Sequence, residues 1–340
     1  MICHRGLTGR NSKPLANSPG QVYRLEAWLT IWLSSKPAYF NENAALIESS
    51  CPICASSVAR VLGGKVIEGC RWQLVRCRQC GQHYTNPRPT SSDICSFYSG
   101  SYHNDLLKEG ASEQAFGPKF QGYIKWLHQY VRGGRSLDIG CATGLLPKML
   151  RDLGFDAEGV EINPATSAWG RKHYDVKIGS KPLESGCYPA NAYSLVTACD
   201  VIEHTENPLA FTRMIHDVVA PGGYVLVTFP DVRSIESQYW RFLAKATGRN
   251  WAWMLCQIPH HVWEFTYPTA LRMFRMSGFR VVGFRRCHGH KDFSGLPKLK
   301  VAALPVSFLD IRWFGRRLGA QMEFILKKDE PSPAATAGKC

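Results

Sequence analysis

The chain has 340 residues, 45% of them hydrophobic, and a formal net charge of +14. That length suits one main domain with an accessory piece, and that content builds a sizeable core, which excludes a fibrous or wholly disordered chain. The positive excess predicts attraction to phosphates, nucleic acid or anionic surfaces and says nothing about fold.

Residues 1–46 read as a weakly structured leader with one short helix over Tyr23–Leu33. Its apolar patch "LEAWLTIWL" is short and broken by Glu26, which makes a poor signal peptide. The longest later run, Val301–Leu309, is interrupted by Pro305 and falls well short of the about 20 apolar residues a spanning helix needs, so no membrane span is expected. Residues 47–90 form a small module with "CPIC" at Cys51–Cys54, a β-like stretch, "CRQC" at Cys77–Cys80 and a closing "TNPRP". The pattern is C-x2-C-x22-C-x2-C. Each CxxC turn aims two thiolates at one ion, and two turns fill a tetrahedral structural zinc site. Cys70 and His83 are spare ligands. Thirteen cysteines, an odd number with four in these pairs, favour reduced thiols and a cytoplasmic setting over a disulfide framework.

Residues 91–130 are aromatic-rich and loosely amphipathic, the pattern of helices leading into the main domain and placed to cover a ligand. From 131 to 328 apolar runs alternate with helical segments: "SLDIG", "LLPKMLRDLG", "DAEGVEIN", "ATSAWGRKHY", "AYSLVTACD", "PLAFTRMIHDVVAPGG", "YVLVTFPD", and a last helix and strand before "AQMEFILKK". This predicts an α/β domain with a doubly wound, mainly parallel sheet whose ligand sits at the carboxyl ends of the strands. Residues 329–340 read as a disordered tail.

The stretch "SLDIGCATGLLPKML", 136–150, is a strand that ends at an acid and turns through Gly140 and Gly144 into a helix. Glycines there let a ligand approach bare backbone and the free N–H groups of the helix start. Asp138 stands at this strand tip and Glu161 at the next, placed to take the two hydroxyls of a ribose. Two acids at neighbouring tips favour a cationic nucleoside over a diphosphate, and Ala142 stands where the dinucleotide fingerprint has its middle glycine. A ligand-free or dinucleotide-binding domain is the plainer alternative.

"DIGCATG", Glu161, "CDVIEHTENP" and "APGGYVLVTFPD", in this order and spacing, resemble the class I S-adenosylmethionine-dependent methyltransferases over roughly the last 210 residues. The resemblance implies a seven-stranded Rossmann-like sheet of order 3-2-1-4-5-7-6 with strand 7 antiparallel. It also implies a cofactor site in which Asp138, Gly140, Cys141, Ala142 and Gly144 line the methionine and ribose, Glu161 holds the ribose, and Cys199 and Asp200 stand beside the adenosine. Two positions depart from the family pattern: Ala142 replaces its commonest glycine, and Ser194 stands where it shows an acid. The adenine-side acid has no clear match in "KIGSKPLESG", where Glu184 is nearby. A zinc ribbon ahead of such a domain is similar to bacterial methyltransferases that tailor sugars and natural products, and more distantly to enzymes that methylate ribosomal RNA. A small-molecule acceptor methylated on oxygen is the first expectation and RNA the alternative, with "RFLAKATGR" and "RWFGRRLG" as phosphate contacts. A binding protein that keeps the fold without turnover is the third.

Methyl transfer is an in-line displacement that needs alignment and, for a hydroxyl acceptor, a base. "DVIEH" offers Asp200, Glu203 and His204, and "PHHVWEF" offers His260 and His261. The family pattern H-x-x-x-F singles out His261 with Phe265. Histidine has the pKa for general-base work near neutrality, while the bland alternative makes both histidines hydrogen-bonded packing residues. The similar E-x-x-E-H arrangement of quinone-type O-methyltransferases implies a further reading, a divalent ion held by Asp200, Glu203, His204 and His261. The aromatic cluster Tyr239–Leu255, with Trp240, Trp251 and Trp253, reads as a lid or substrate wall.

Overall fold

The computed structural model describes residues 46–67, 70–100, 103–183, 186–235, 237–238, 242, 261–287 and 319–330, all within one compact unit, 38–340. The leader helix, Glu184, His260, both basic stripes, the tail beyond Glu330 and, Phe242 apart, the Tyr239–Leu255 cluster lie outside the described residues.

After β1 (Leu46–Ile47), the strands β2 (Ala59–Ile67), β3 (Cys70–Cys77) and β4 (His83–Thr85) form an antiparallel meander, and β5 (Arg88–Pro89) returns to pair with β1. Both CxxC turns fall at the same end of this ribbon because Ala59 at the start of β2 pairs with Cys77 at the end of β3. So small a sheet buries too little apolar surface to stand alone. Its Ile53, Val75 and Tyr84 belong to one continuous core with Val196 of the larger sheet and with Val262 and Trp263.

Two helices follow. α1 (Ser91–Ser99) starts at a capping box in which Thr90 and Asp93 satisfy each other's backbone N–H groups. α2 (Ala111–Leu127) buries Tyr123 and Leu127. Then β6 (Gly134–Ile139), α3 (Leu145–Arg151), β7 (Phe155–Val160), α4 (Pro164–Tyr174), β8 (Lys177–Gly179) and β9 (Tyr193–Cys199) build parallel crossovers. A 3-10 turn (Ile202–His204), α5 (Pro208–Val218) and β10 (Val219–Pro230) complete the parallel part. α4 and α5 both begin at an Asn-Pro pair. The Asn163 and Asn207 side chains accept from Thr166 and Ala210 N–H at 3.0 Å, and each proline takes the first helical position, where no N–H is needed.

β11 (Trp263–Glu264) leaves the main domain to pair with β4, so the ribbon sheet has four strands in the order β11-β4-β3-β2. α6 (Tyr267–Met276), β12 (Phe279–Cys287) and β13 (Gln321–Lys328) close the large sheet. Its order is β8-β7-β6-β9-β10-β13-β12, with β13 antiparallel to both neighbours. Renumbered from the glycine-turn strand, this is the 3-2-1-4-5-7-6 arrangement the resemblance implies. The central strands are buried on both faces, with Leu195, Val196, Thr197, Ala198 and Phe324 fully inaccessible. No helix among the described residues is long and apolar enough to cross a membrane.

Candidate active site

The glycine turn stands at the carboxyl end of β6. Gly140 and Gly144 have φ of +71° and +81°, where side chains are disfavoured. A Cβ on Gly140 would lie 2.6 Å from Val201 Cγ2, and one on Gly144 2.8 Å from Ile178 Cδ1 and Val176 Cγ2. Ala142, at φ +48°, takes the same left-handed conformation at a cost of about 1 kcal/mol. Its N–H donates to Glu161 Oε2 at 2.9 Å, and Glu161 Oε1 accepts from Asn163 N–H at 2.7 Å. Glu161 therefore ties the tips of β6 and β7 together. Asp138, 4% exposed, accepts from Thr197 Oγ1 at 2.5 Å. Burial pushes its carboxyl up to about 7; the Thr197 hydrogen bond opposes this and the Glu161 charge adds to it. Burial also raises Glu161, against the N–H groups of Asn163 and Ala142.

These two acids line a cavity of about 690 Å³ with Gly140, Cys141, Ala142, Cys199 and Asp200. Gly144 lies behind the lining, against Val176 and Ile178. A nucleoside-sized cavity with a bare-backbone turn and two destabilised buried carboxylates fits a cationic nucleoside such as S-adenosylmethionine. Between about pH 4 and 7 the folded chain holds a proton on Asp138 that the unfolded chain has released, so raising the pH through this window costs ligand-free stability. Urea unfolding at pH 5 and pH 8 should show a smaller loss in Asp138→Asn than in the parent protein. Equal losses would remove Asp138 as the titrating group.

On the far side Asp200, at φ +59°, accepts from Thr228 Oγ1 at 2.9 Å and Gln321 Nε2 at 2.5 Å, and pairs with Lys119 Nζ at 2.7 Å. Burial works against the Lys119 charge, but Asp200 prevails and its pKa is raised. Sequence reasoning passed over Lys119. A signal was present: Phe116, Lys119, Phe120 and Tyr123 repeat at helical spacing, which puts a lysine on the apolar face of α2.

The third wall is the 3-10 turn. Glu203 is 1% exposed, and burial, reinforced by the Asp200 charge, raises its pKa well above the carboxylate range. Neither of its carboxylate oxygens has a hydrogen-bond partner among the described residues. His204 Nε2 lies 4.0 Å from Glu203 Oε1, and His204 Nδ1 lies 2.6 Å from the hydroxyl of Tyr98 on α1. The His204 and His261 rings meet edge-on at 4.8 Å, and His261 Nδ1 is 3.6 Å from Glu264 Oε1. Glu203, His204 and His261 each bring one ligand-type atom within 4.8 Å of the others; Asp200 is engaged elsewhere, with Lys119. A neutral buried acid beside two imidazoles can store and move a proton, and the same three atoms can also surround a cation. Tyr98 is the second site residue to which the sequence pattern assigned no role. Asn163 Nδ2 donates to Tyr98 O at 3.0 Å and Gly100 O at 2.6 Å, which anchors α1 to the tip of β7.

In the ribbon, Cys51 Sγ lies 3.4 Å from Cys80 Sγ and Cys54 Sγ 3.5 Å from Cys77 Sγ, and all four sulfurs fall within 4.8 Å of one another. A zinc ion with four bonds of about 2.3 Å has S···S edges of about 3.8 Å, so the donor set fits. Burial pushes the Cys51 thiol up and the Cys80 thiol up to about 11, whereas at Cys77 the N–H groups of Cys80 and Gln79 outweigh burial and bring the thiol down to about 7. Cys70 and His83 are not part of this cluster.

The chain is similar to several known proteins. The family described as a methyltransferase domain matches residues 117–283. The ubiquinone biosynthesis O-methyltransferase of Burkholderia thailandensis is 27% identical over 171 residues, 47% of this chain and 71% of that protein. The enzyme of the same name from Bordetella avium is 26% identical over 179 residues, 50% and 72% of the two chains. The structure of a complex between the Haloferax volcanii Trm112 methyltransferase activator and a methyltransferase superposes with a TM-score of 0.51 at 13% identity, covering 67% of this chain and 98% of that one. With the strand order, the glycine turn and the matched residues in agreement, residues 117–283 form a methyltransferase domain with the class I S-adenosylmethionine-dependent fold, and a four-cysteine cluster that fits a zinc ribbon stands ahead of it.

Proposed function

We propose that this enzyme methylates an oxygen of a small molecule, of the class of sugars, glycolipid precursors or natural products. The observation that carries this reading is a single cavity joining the Asp138–Glu161 grip to the Tyr98–His204–His261 group. Its apolar lining, including Ile94, Phe120, Leu183 and Phe211, suits an acceptor small enough to be enclosed. The O-methyltransferase names of the matched relatives support oxygen as the target.

When bound, the cofactor supplies an electrophilic methyl group on a sulfonium centre. Glu161 accepts from the ribose hydroxyls while keeping the turn closed through Ala142 N–H. Asp138 and Asp200 set a negative field along the cavity, with Lys119 balancing Asp200. His204 or His261 takes the proton of the acceptor hydroxyl, and Tyr98, at 2.6 Å from His204 Nδ1, orients His204. Reduced ribbon thiols agree with a cytoplasmic setting.

Incubation of the enzyme with methyl-labelled cofactor and a panel of hydroxylated metabolites should label an oxygen of one acceptor class. Label on nitrogen or carbon would refute the reading. Retention of RNA at low salt that collapses as salt is raised would move the acceptor to RNA. Activity lost to a chelator and restored by added Mg²⁺ or Mn²⁺ would assign Glu203, His204 and His261 to a cation. Glu161→Ala should weaken cofactor binding by about 1–3 kcal/mol, roughly five- to 150-fold, as read by calorimetric titration. An unchanged Kd would remove Glu161 from the site.

A further inference from the structure

The ribbon and the histidine pair are remote in sequence, with Thr85 and His261 separated by 176 positions. In the fold they are neighbours. β4, three residues past Cys80, pairs with β11, Tyr84 opposite Trp263 and His83 opposite Glu264. At the end of that ladder Thr85 donates twice: its N–H to Val262 O at 2.9 Å and its Oγ1 to His261 O at 3.0 Å. From the opposite side Val262 N–H donates to Glu203 O at 2.9 Å, and Trp263 Nε1 donates to Thr205 O at 2.6 Å. Gln82 Nε2 adds a bond to Glu264 O at 3.2 Å.

The main-chain segment carrying His261 is thus gripped between a ribbon strand and the turn that carries Glu203 and His204. Gln82 and Thr85 are fully buried and Glu203 nearly so, so water does not compete for these bonds. Tyr84 packs in the same core as Cys51 and Cys77 and meets the Trp263 ring at 5.8 Å, which links the four sulfurs mechanically to β11.

We propose that the ribbon is a working part of the acceptor side: with metal bound, β4 holds His261 in place through Thr85, so Thr85 is a positioning residue and the metal state of the ribbon governs where His261 stands. This rests on the reading of His261 as an acceptor-side residue. A histidine that must receive a proton from a bound hydroxyl has to be held to within a fraction of an ångström, and the segment's own few residues supply no such rigidity.

Hydrogen exchange read by mass spectrometry tests this on the full chain without any acceptor. Four samples are compared: the zinc-loaded parent, zinc-loaded Thr85→Val, zinc-loaded Thr85→Ser, and the parent stripped by a chelator. The peptide covering 261–266 should exchange roughly fivefold faster in Thr85→Val, return to the parent rate in Thr85→Ser, and be fastest in the stripped protein. Peptides covering β6 and β9 should keep their rates throughout. Equal exchange of 261–266 in all four samples would overturn the proposal. Loss of protection in β6 and β9 together with 261–266 on stripping would overturn it too, because the ribbon would then support the whole fold and not His261 in particular. Cofactor titration of the same samples separates the two readings. An unchanged Kd in Thr85→Val is the expected result, whereas a parent protein that binds no cofactor sinks the acceptor-methylation proposal and leaves the exchange result standing.

Discussion

Cys77→Ala is expected to release the ribbon's zinc and to melt residues 51–85 while the seven-stranded sheet keeps its own unfolding transition. Cys77 is 1% exposed and its sulfur stands 3.5 Å from that of Cys54, so alanine leaves three thiolates around one open position in a buried site. The free energy that zinc lends to modules of this size is on the order of 10 kcal/mol, more than the few buried apolar residues of the ribbon replace. Metal analysis should fall from about one zinc per chain to near zero. Calorimetry should lose the zinc-dependent part of the transition. A variant that retains full zinc, or a parent protein that folds and holds its ribbon without metal, would show that the four sulfurs are packing residues.

Phe324→Ala should cost about 3–5 kcal/mol of stability. Phe324 lies in the middle of β13, is fully buried, and touches four other rings: Phe229 at 5.7 Å, Tyr267 at 6.0 Å, Phe274 at 5.1 Å and Phe284 at 4.9 Å between centroids. These come from β10, α6 and β12, and since none of them can collapse into the gap without breaking its own contacts, the cavity stays open. Phe324→Leu, which keeps most of the volume, should cost about 1 kcal/mol. Urea unfolding at fixed pH, with an unchanged denaturant slope, measures both. A loss below about 1 kcal/mol for the alanine variant would mean that the aromatic cluster is loosely packed.

The last strand of the sheet also joins the core to the cavity. Glu323, next to Phe324, is 2% exposed, bonded to Arg285 and within 2.9 Å of Cys287 Sγ. Two positions earlier, Gln321 reaches Asp200 at 2.5 Å. The antiparallel strand that closes the sheet thus supplies a side chain to the cavity wall, a contact made across 121 positions of sequence.

Some of this protein is written in short runs of its chain. The turn through Gly140 and Gly144, the Asn-Pro helix starts and the paired CxxC turns each need only a few adjacent residues, because backbone conformation, capping and two-thiol bites are local matters. Strand and helix alternation from Ser136 onward carried the sheet and its ligand-binding end for the same reason. The partners of the site were not readable this way. Lys119 with Asp200, Tyr98 with His204, Asn163 with α1 and Thr85 with His261 join residues 81, 106, 65 and 176 positions apart. Nothing in spacing couples such positions; they meet only because burying the faces of α1, α2 and the ribbon against one sheet brings them together. The sequence by itself determined where the glycine turn falls and which thiols gather, and the packing of distant elements decided which side chains share the cavity.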